Sequence, residues 1–189
     1  MVVATGKFVE SAMRTVPPFP AGERPVGSGG PAPEPLTHRL LAQEPVRTPG
    51  GCVRIADCTN FPATTIAAAL VDVEPGGLRE LHWHPNAAEW QYYVYGRGRM
   101  GVFAAEGRAR TFDVAAGDVG YVPFAMGHYV ENTGDEPLRF LEVFRSERFA
   151  DISLAQWLAL TPPTLVREHL HAGDRVLRAP AREKRPVVR

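Results

Sequence analysis

The sequence predicts an all-β sandwich or barrel followed by short C-terminal helices, and three observations predict it. Between residues 36 and 146, short apolar runs of strand length recur at even spacing, each bounded by a turn signal. No long helical period interrupts that stretch. After residue 150 the period changes, and apolar residues fall at helical spacing behind capping residues. With 189 residues the chain can bury one sizeable core and is short for two.

The elements follow in order. Residues 16–35, VPPFPAGERPVGSGGPAPEP, are too rich in Pro and Gly to pack as an element, so residues 1–35 are read as a Pro/Gly-rich N-terminal arm or linker, a mobile tail in preference to an arm docked on another subunit. The barrel is expected over 36–150. CVRIADC, TTIAAALVDV, LHWH, WQYYVYG, RMGVFAA, ARTFDV, VGYVPF, HYVEN and LRFLEVFR are its candidate strands, and PGG, GRG, AAGD and NTGDEP its turns. Residues 151–189 are expected to hold a helical segment and a basic, solvated tail. Ser153 with Gln156 three positions later opens one helix in capping-box fashion. Pro-rich TPPT opens the next, and Gly173 is its expected stop.

Charge and composition exclude several classes of partner. Lys+Arg and Asp+Glu both count 21, so no net field draws the chain to nucleic acid or to a membrane surface. No apolar run reaches membrane-spanning length. The N-terminus lacks a basic stretch followed by a long apolar one, so no secretory signal is expected. Cys52 and Cys58 on one strand would stand about 20 Å apart, beyond disulfide reach. Two reduced thiols favour the cytoplasm.

ELHWHPNAAEWQYYVYG, residues 80–96, carries the chemistry. His82 and His84 share a strand face by alternation, about 7 Å apart. Glu89 follows after a turn that can bring its carboxylate back, and His128 lies in a second β segment, GYVPFAMGHYVEN. Three imidazoles and a carboxylate among strand-forming aromatics are costly to bury unless something pairs with them. Together they form a metal-ligand set that leaves positions open on an ion preferring six ligands.

These residues resemble a known family. Gly76-x5-His82-x-His84-x4-Glu89-x6-Gly96 fits the first cupin motif in full. Gly117-x5-Pro123-x4-His128-x3-Asn132 fits the second, with Ala125 where that motif has Gly. The stretch from LRELHWHP to FLEVF, ADISLAQWLAL and the final EKRPVVR resemble the C-terminal cupin half of bicupin oxalate decarboxylases. The resemblance runs from about residue 36 to the end, and it implies a double-stranded β-helix, or jelly-roll, barrel. It further implies Mn(II) held by His82, His84, Glu89 and His128. The implied reaction converts oxalate to formate and carbon dioxide with dioxygen as co-catalyst. Only one cupin domain is expected here where that family has two, and a homo-oligomer is expected to cover the surface the second domain would cover. The partner is oxalate or a similar small carboxylate, with no nucleic acid and no membrane.

Three further residues are candidates for catalysis. The resemblance turns Arg79 toward the substrate, where a guanidinium can clamp a carboxylate. Strict alternation puts Arg79 and His82 on opposite faces, so this role requires a bend after PGG. Glu142 shares strand parity with Leu138, Phe140 and Phe144, opposite Arg139 and Arg145, so it is a carboxylate on an apolar inner face. Such a group must pair, protonate or bind something, and either proton transfer or partnership with Arg79 meets that need. Asp151 in FADISL stands where the family's lid carries a glutamate between two serines, and is the weaker proton carrier. Tyr121, Phe124, Met126, Trp83 and Trp90 are read as core or pocket wall. Three readings stay open: decarboxylase; oxalate oxidase or another metal-dependent dioxygenase; and a non-catalytic metal- or carboxylate-binding cupin.

Overall fold

A computed structural model of the chain describes residues 35–171 and 182–189, and the fold is given for these. The predicted N-terminal arm lies outside the described residues, apart from Pro35. The strands are β1 (Val46–Thr48), β2 (Gly51–Ala56), β3 (Ala67–Val73), β4 (Leu78–Trp83), β5 (Glu89–Tyr95) and β6 (Arg97–Phe103). They continue with β7 (Ala109–Ala115), β8 (Val119–Val122), β9 (Gly127–Asn132), β10 (Leu138–Phe144), β11 (Ile152–Ser153) and β12 (Val187–Val188). Two helices, α1 (Leu154–Leu160) and α2 (Pro163–Leu170), follow β11. Among the described residues, no helix is long and apolar enough to cross a membrane.

All strand pairs are antiparallel and fall into two sheets. One runs β1-β2-β3-β10-β5-β8; the other runs β11-β4-β9-β6-β7, with β12 also on β4. Strands far apart in sequence are thus neighbours in space, as in a jelly roll. Inward residues obey the period of two: on β10, Leu138, Phe140, Glu142 and Phe144 are buried and alternate with half-buried Arg139, Leu141 and Val143. The core joins Phe140 to Tyr93 at a ring separation of 5.3 Å, with Val71, Met100 and Val130 fully buried around them.

Several expectations are corrected. Trp90, Tyr121 and Phe124 are exposed, not core or pocket wall. On β5 the inward positions belong to Glu89, Gln91 and Tyr93, so parity turns Trp90 and Tyr92 outward. Cys58 lies in a turn past the end of β2, and both thiols are free. Helix α2 is capped by His171 with a left-handed φ of 49°, and the expected stop, Gly173, lies outside the described residues. Ser153 caps α1 by accepting from the Gln156 amide at 3.2 Å, but the Gln156 side chain donates to the Arg182 carbonyl instead of completing the box. The tail is not solvated at its end: Val187 and Val188 pair with Arg79 and Leu78, and Val187 is fully buried. Two adjacent β-branched residues were the signal for that strand.

Candidate metal centre

Strand β4 and the residue just past its end deliver His82 and His84 to the interior on alternate positions, β5 opens with Glu89, and β9 pairs His128 directly opposite His82. One ligand atom from each of the four lies within 4.8 Å of the others, and all four residues are buried. Each imidazole is oriented by a backbone carbonyl. His82 Nδ1 is 2.7 Å from the Glu80 oxygen, His84 Nδ1 is 2.7 Å from that of Ala150, and His128 Nδ1 is 3.1 Å from that of Met126. A carbonyl can only accept, so Nδ1 carries the proton and the neutral ring presents a bare Nε2.

Glu89 is oriented the same way. Gln91 Nε2 donates to Glu89 Oε1 at 2.6 Å, and the Tyr93 hydroxyl donates to Gln91 Oε1. The other oxygen, Oε2, lies 2.9 Å from His84 Nε2 and 2.8 Å from His128 Nε2. Those contacts lack hydrogen-bond alignment: Glu89 Oε2 and the Nε2 atoms of all three histidines are buried without a hydrogen-bond partner among the described residues. Lone pairs face lone pairs, an arrangement that a cation between them satisfies. Burial and the Arg79 cation hold His82 well below its ordinary pKa, which favours the neutral ligand form. Burial would raise Glu89, but positive charge on His128 and His84 more than offsets it, and His84 is itself raised against its burial by Glu89; an ion at this point supplies that positive charge while the imidazoles stay neutral. The donor set therefore fits a metal ion of mixed nitrogen and oxygen preference.

Beside the cluster is a chain of buried charges. A bulge in the β4–β9 pairing between Arg79 and His82 resets parity, so both side chains are buried. This is the bend that the Arg79 reading required. Arg79 Nε donates to Glu142 Oε1 at 3.2 Å, Nη1 to the Pro186 carbonyl at 3.2 Å, and Nη2 to Asp151 Oδ2 at 2.9 Å. Burial raises the Glu142 pKa, Arg79 pulls it back and Glu89 adds to the rise, leaving it at about 7. Arg79 itself is held above its ordinary range because Glu142 and Asp151 outweigh its burial. In this pair Glu142 is the member that yields its charge. Asp151 goes the other way: burial raises it, but Arg79 and Lys184 more than offset that.

Sequence reasoning missed Gln91, Glu80 and Lys184, and read Ser153 only as a helix cap. Glu80 Oε2 accepts from the Ser153 hydroxyl, and Lys184 Nζ lies 3.2 Å from Glu80 Oε1 and 2.8 Å from Asp151 Oδ2. Gln91 had a signal in its parity with Glu89 and Tyr93. Lys184 had none, since it reaches the site only through the fold. A cleft of about 620 Å³ borders His82 and His128, and its walls include Leu81, Trp83, Leu154 and Trp157.

A fold of two antiparallel sheets around a three-histidine, one-glutamate cluster defines the class, and the profile described as Cupin matches residues 38–175. The chain belongs to the cupin family. It is 60% identical over 164 residues to the oxalate decarboxylase OxdC of Bacillus subtilis, covering 86% of this chain and 43% of that protein. It is 45% identical over 141 residues to an oxalate decarboxylase of Arthroderma benhamiae, covering 74% of this chain and 33% of that one. The structure of the B. subtilis oxalate decarboxylase at pH 4.6 superposes with a TM-score of 0.85 at 59% identity, over 88% of this chain and 44% of that one. The chain thus spans less than half the length of these relatives.

Proposed function

We propose that this chain is a manganese-dependent, oxalate decarboxylase-like cupin that converts oxalate to formate and carbon dioxide. One observation carries the reading: four inward ligand atoms without hydrogen-bond partners lie beside a buried guanidinium and a carboxyl group of raised pKa. The likeness to oxalate decarboxylases supports the choice of substrate, and the Mn(II) centres of the B. subtilis enzyme support the choice of metal. His82, His84, Glu89 and His128 would hold the ion, which supplies Lewis-acid charge and one-electron redox capacity when bound.

The chain's own residues do the rest. In the net reaction the C–C bond of the oxalate monoanion breaks, one carboxyl leaves as carbon dioxide, and the other carbon gains a proton to become formate. Among the described residues, three of the five guanidinium N–H groups of Arg79 have partners, which leaves two for a substrate carboxylate. Glu142 stays protonated up to about pH 7 and can donate that proton. Dioxygen belongs to the same reading as co-catalyst. The test is turnover: manganese-loaded protein given oxalate should yield formate by proton NMR, and no formate would sink the proposal.

A second reading, oxalate oxidase, draws on Asp151. That carboxylate is tied to two cations, so residues 150–153 offer no free acid to protonate the product carbon. The oxalate monoanion, dioxygen and a proton would then give two molecules of carbon dioxide and one of hydrogen peroxide. Measuring peroxide beside formate separates the two. The homo-oligomer is likewise a proposal, supported by exposed aromatic surface.

A further inference from the structure

The end of the chain returns to the site. Strand β12 lies on β4, Pro186 accepts from both Arg79 Nη1 and the Glu80 amide, and Thr48 donates to the Val187 carbonyl. Gly50 lies so close beneath Val188 that a Cβ there would collide with the Val188 carbonyl. The seat is therefore shaped to the segment. It places Lys184, one of only two lysines in the sequence, with its ammonium buried between Glu80 and Asp151.

That ammonium joins groups that hold Arg79 and the metal-ligand candidates in place. Glu80 is on β4, two residues before the metal-ligand candidate His82. Asp151 grips Arg79 and follows Ala150, whose carbonyl orients His84. Ser153 ties the same short segment back to Glu80. Two carboxylates, Glu80 buried and Asp151 partly buried, converge on one lysine, so loss of its charge leaves them short of a cation and the segment short of its anchor. A compact ammonium can sit between two carboxylates as a point charge.

We propose that Lys184 is a positioning residue for substrate binding. By bridging Glu80 and Asp151 it fixes residues 150–153 and holds the Arg79 guanidinium in the orientation that receives a substrate carboxylate. The substrate part rests on the oxalate reading above; the hold on residues 150–153 does not.

The test uses the full chain with Lys184→Met, which keeps the stem and removes the charge, and Lys184→Arg, which restores it. In manganese-loaded protein, Lys184→Met should weaken oxalate binding about tenfold, within the usual range of coupling between linked sites. KM should rise with it, kcat should change little, and Lys184→Arg should recover affinity. In metal-free protein the amides of Ile152 and Ser153 should exchange faster in Lys184→Met, while β3 and β10 keep their protection. If that protection is lost, Lys184→Gln is put through the same measurements. Unchanged oxalate affinity in the charge-free variant, or no recovery in Lys184→Arg, overturns the positioning role. If the unsubstituted protein binds no oxalate, the oxalate reading fails, and amide exchange alone decides whether Lys184 anchors the segment.

Discussion

Arg79 and Glu142 meet through a single hydrogen bond of 3.2 Å, and the second oxygen of Glu142 is buried without a hydrogen-bond partner among the described residues. A fully ionised pair in such a setting is normally bidentate, with its remaining lone pairs satisfied. Arg79 is instead divided among Glu142, Asp151 and Pro186. Burial raises the Glu142 carboxyl, Arg79 offsets only part of that rise and Glu89 adds to it, so the group stays protonated toward neutral pH.

The proton on Glu142 is the first prediction. Glu142→Gln preserves shape and removes the acid. It should lower formate production at least about a hundredfold, the low end for general acid–base catalysis, and leave bound manganese unchanged by elemental analysis. Asp151→Asn should act mainly on KM, because Asp151 is held ionised by Arg79 and Lys184 and has no proton to give. Loss of kcat in Asp151→Asn with full activity in Glu142→Gln would reverse the assignment.

The same group sets a pH dependence of stability. A carboxyl raised from 4.5 to about 7 binds its proton more tightly when folded, so its contribution is present below pH 4.5 and lost as pH rises toward 7. His82, held below its ordinary value, works in the opposite direction, with stability rising toward 6.5. The difference between two proteins isolates Glu142. In urea titrations of metal-free protein, Glu142→Gln should gain on the unsubstituted protein between pH 4.5 and 7. A constant difference across that window would show that Glu142 does not titrate there.

Metal binding provides a third check. Removing the His84 imidazole should abolish stoichiometric manganese while the barrel, whose core lies on other strands, still folds. Manganese at about 100 times its Kd should stabilise the unsubstituted protein by about 2.7 kcal/mol and the His84→Ala protein not at all. Full metal content in His84→Ala would disprove the ligand assignment.

Most of the barrel and the four-residue cluster were legible in the sequence because both depend on local spacing. Alternation placed His82 with His84, and it placed Glu142 with Phe140 and Phe144. Alternation also misplaces residues wherever the ladder is irregular. Arg79 joins His82 inside only through a bulge that no local pattern marks. Lys184 is more than a hundred residues from Arg79, and its ion pairs exist only because β12 docks on β4. Charge in a basic tail reads as solvation until a sheet edge is there to receive it.

Outward-facing aromatics lead to the fourth prediction. Trp90 and Tyr92 stack with centroids 6.5 Å apart, and Tyr121 lies opposite Trp90 on β8, at the edge of its sheet. Tyr121 and Phe124 are 58% and 60% exposed. An apolar patch on an edge strand favours association unless it is covered. Light scattering at micromolar concentration should give at least a dimer, and Tyr121→Glu should lower the mass. A monomer mass for the unsubstituted chain would refute it.

Ala125, the one departure from the second motif, carries the last prediction. It occupies a left-handed backbone position with φ of 58°, in the turn where the Met126 amide donates to the Pro123 carbonyl at 3.2 Å. A Cβ there crowds the following carbonyl and costs roughly 1–2 kcal/mol, whereas glycine adopts the same angles freely. Glycine also gives the unfolded chain more freedom, which offsets about 0.4–1 kcal/mol of that gain. The strain term is the larger, so Ala125→Gly should stabilise the protein by about 0.5–1 kcal/mol in urea unfolding. His128 begins only three residues later, so relief of strain should leave metal stoichiometry unchanged if the turn keeps its shape. A destabilised Ala125→Gly protein would mean that the alanine methyl makes contacts worth more than the strain it imposes.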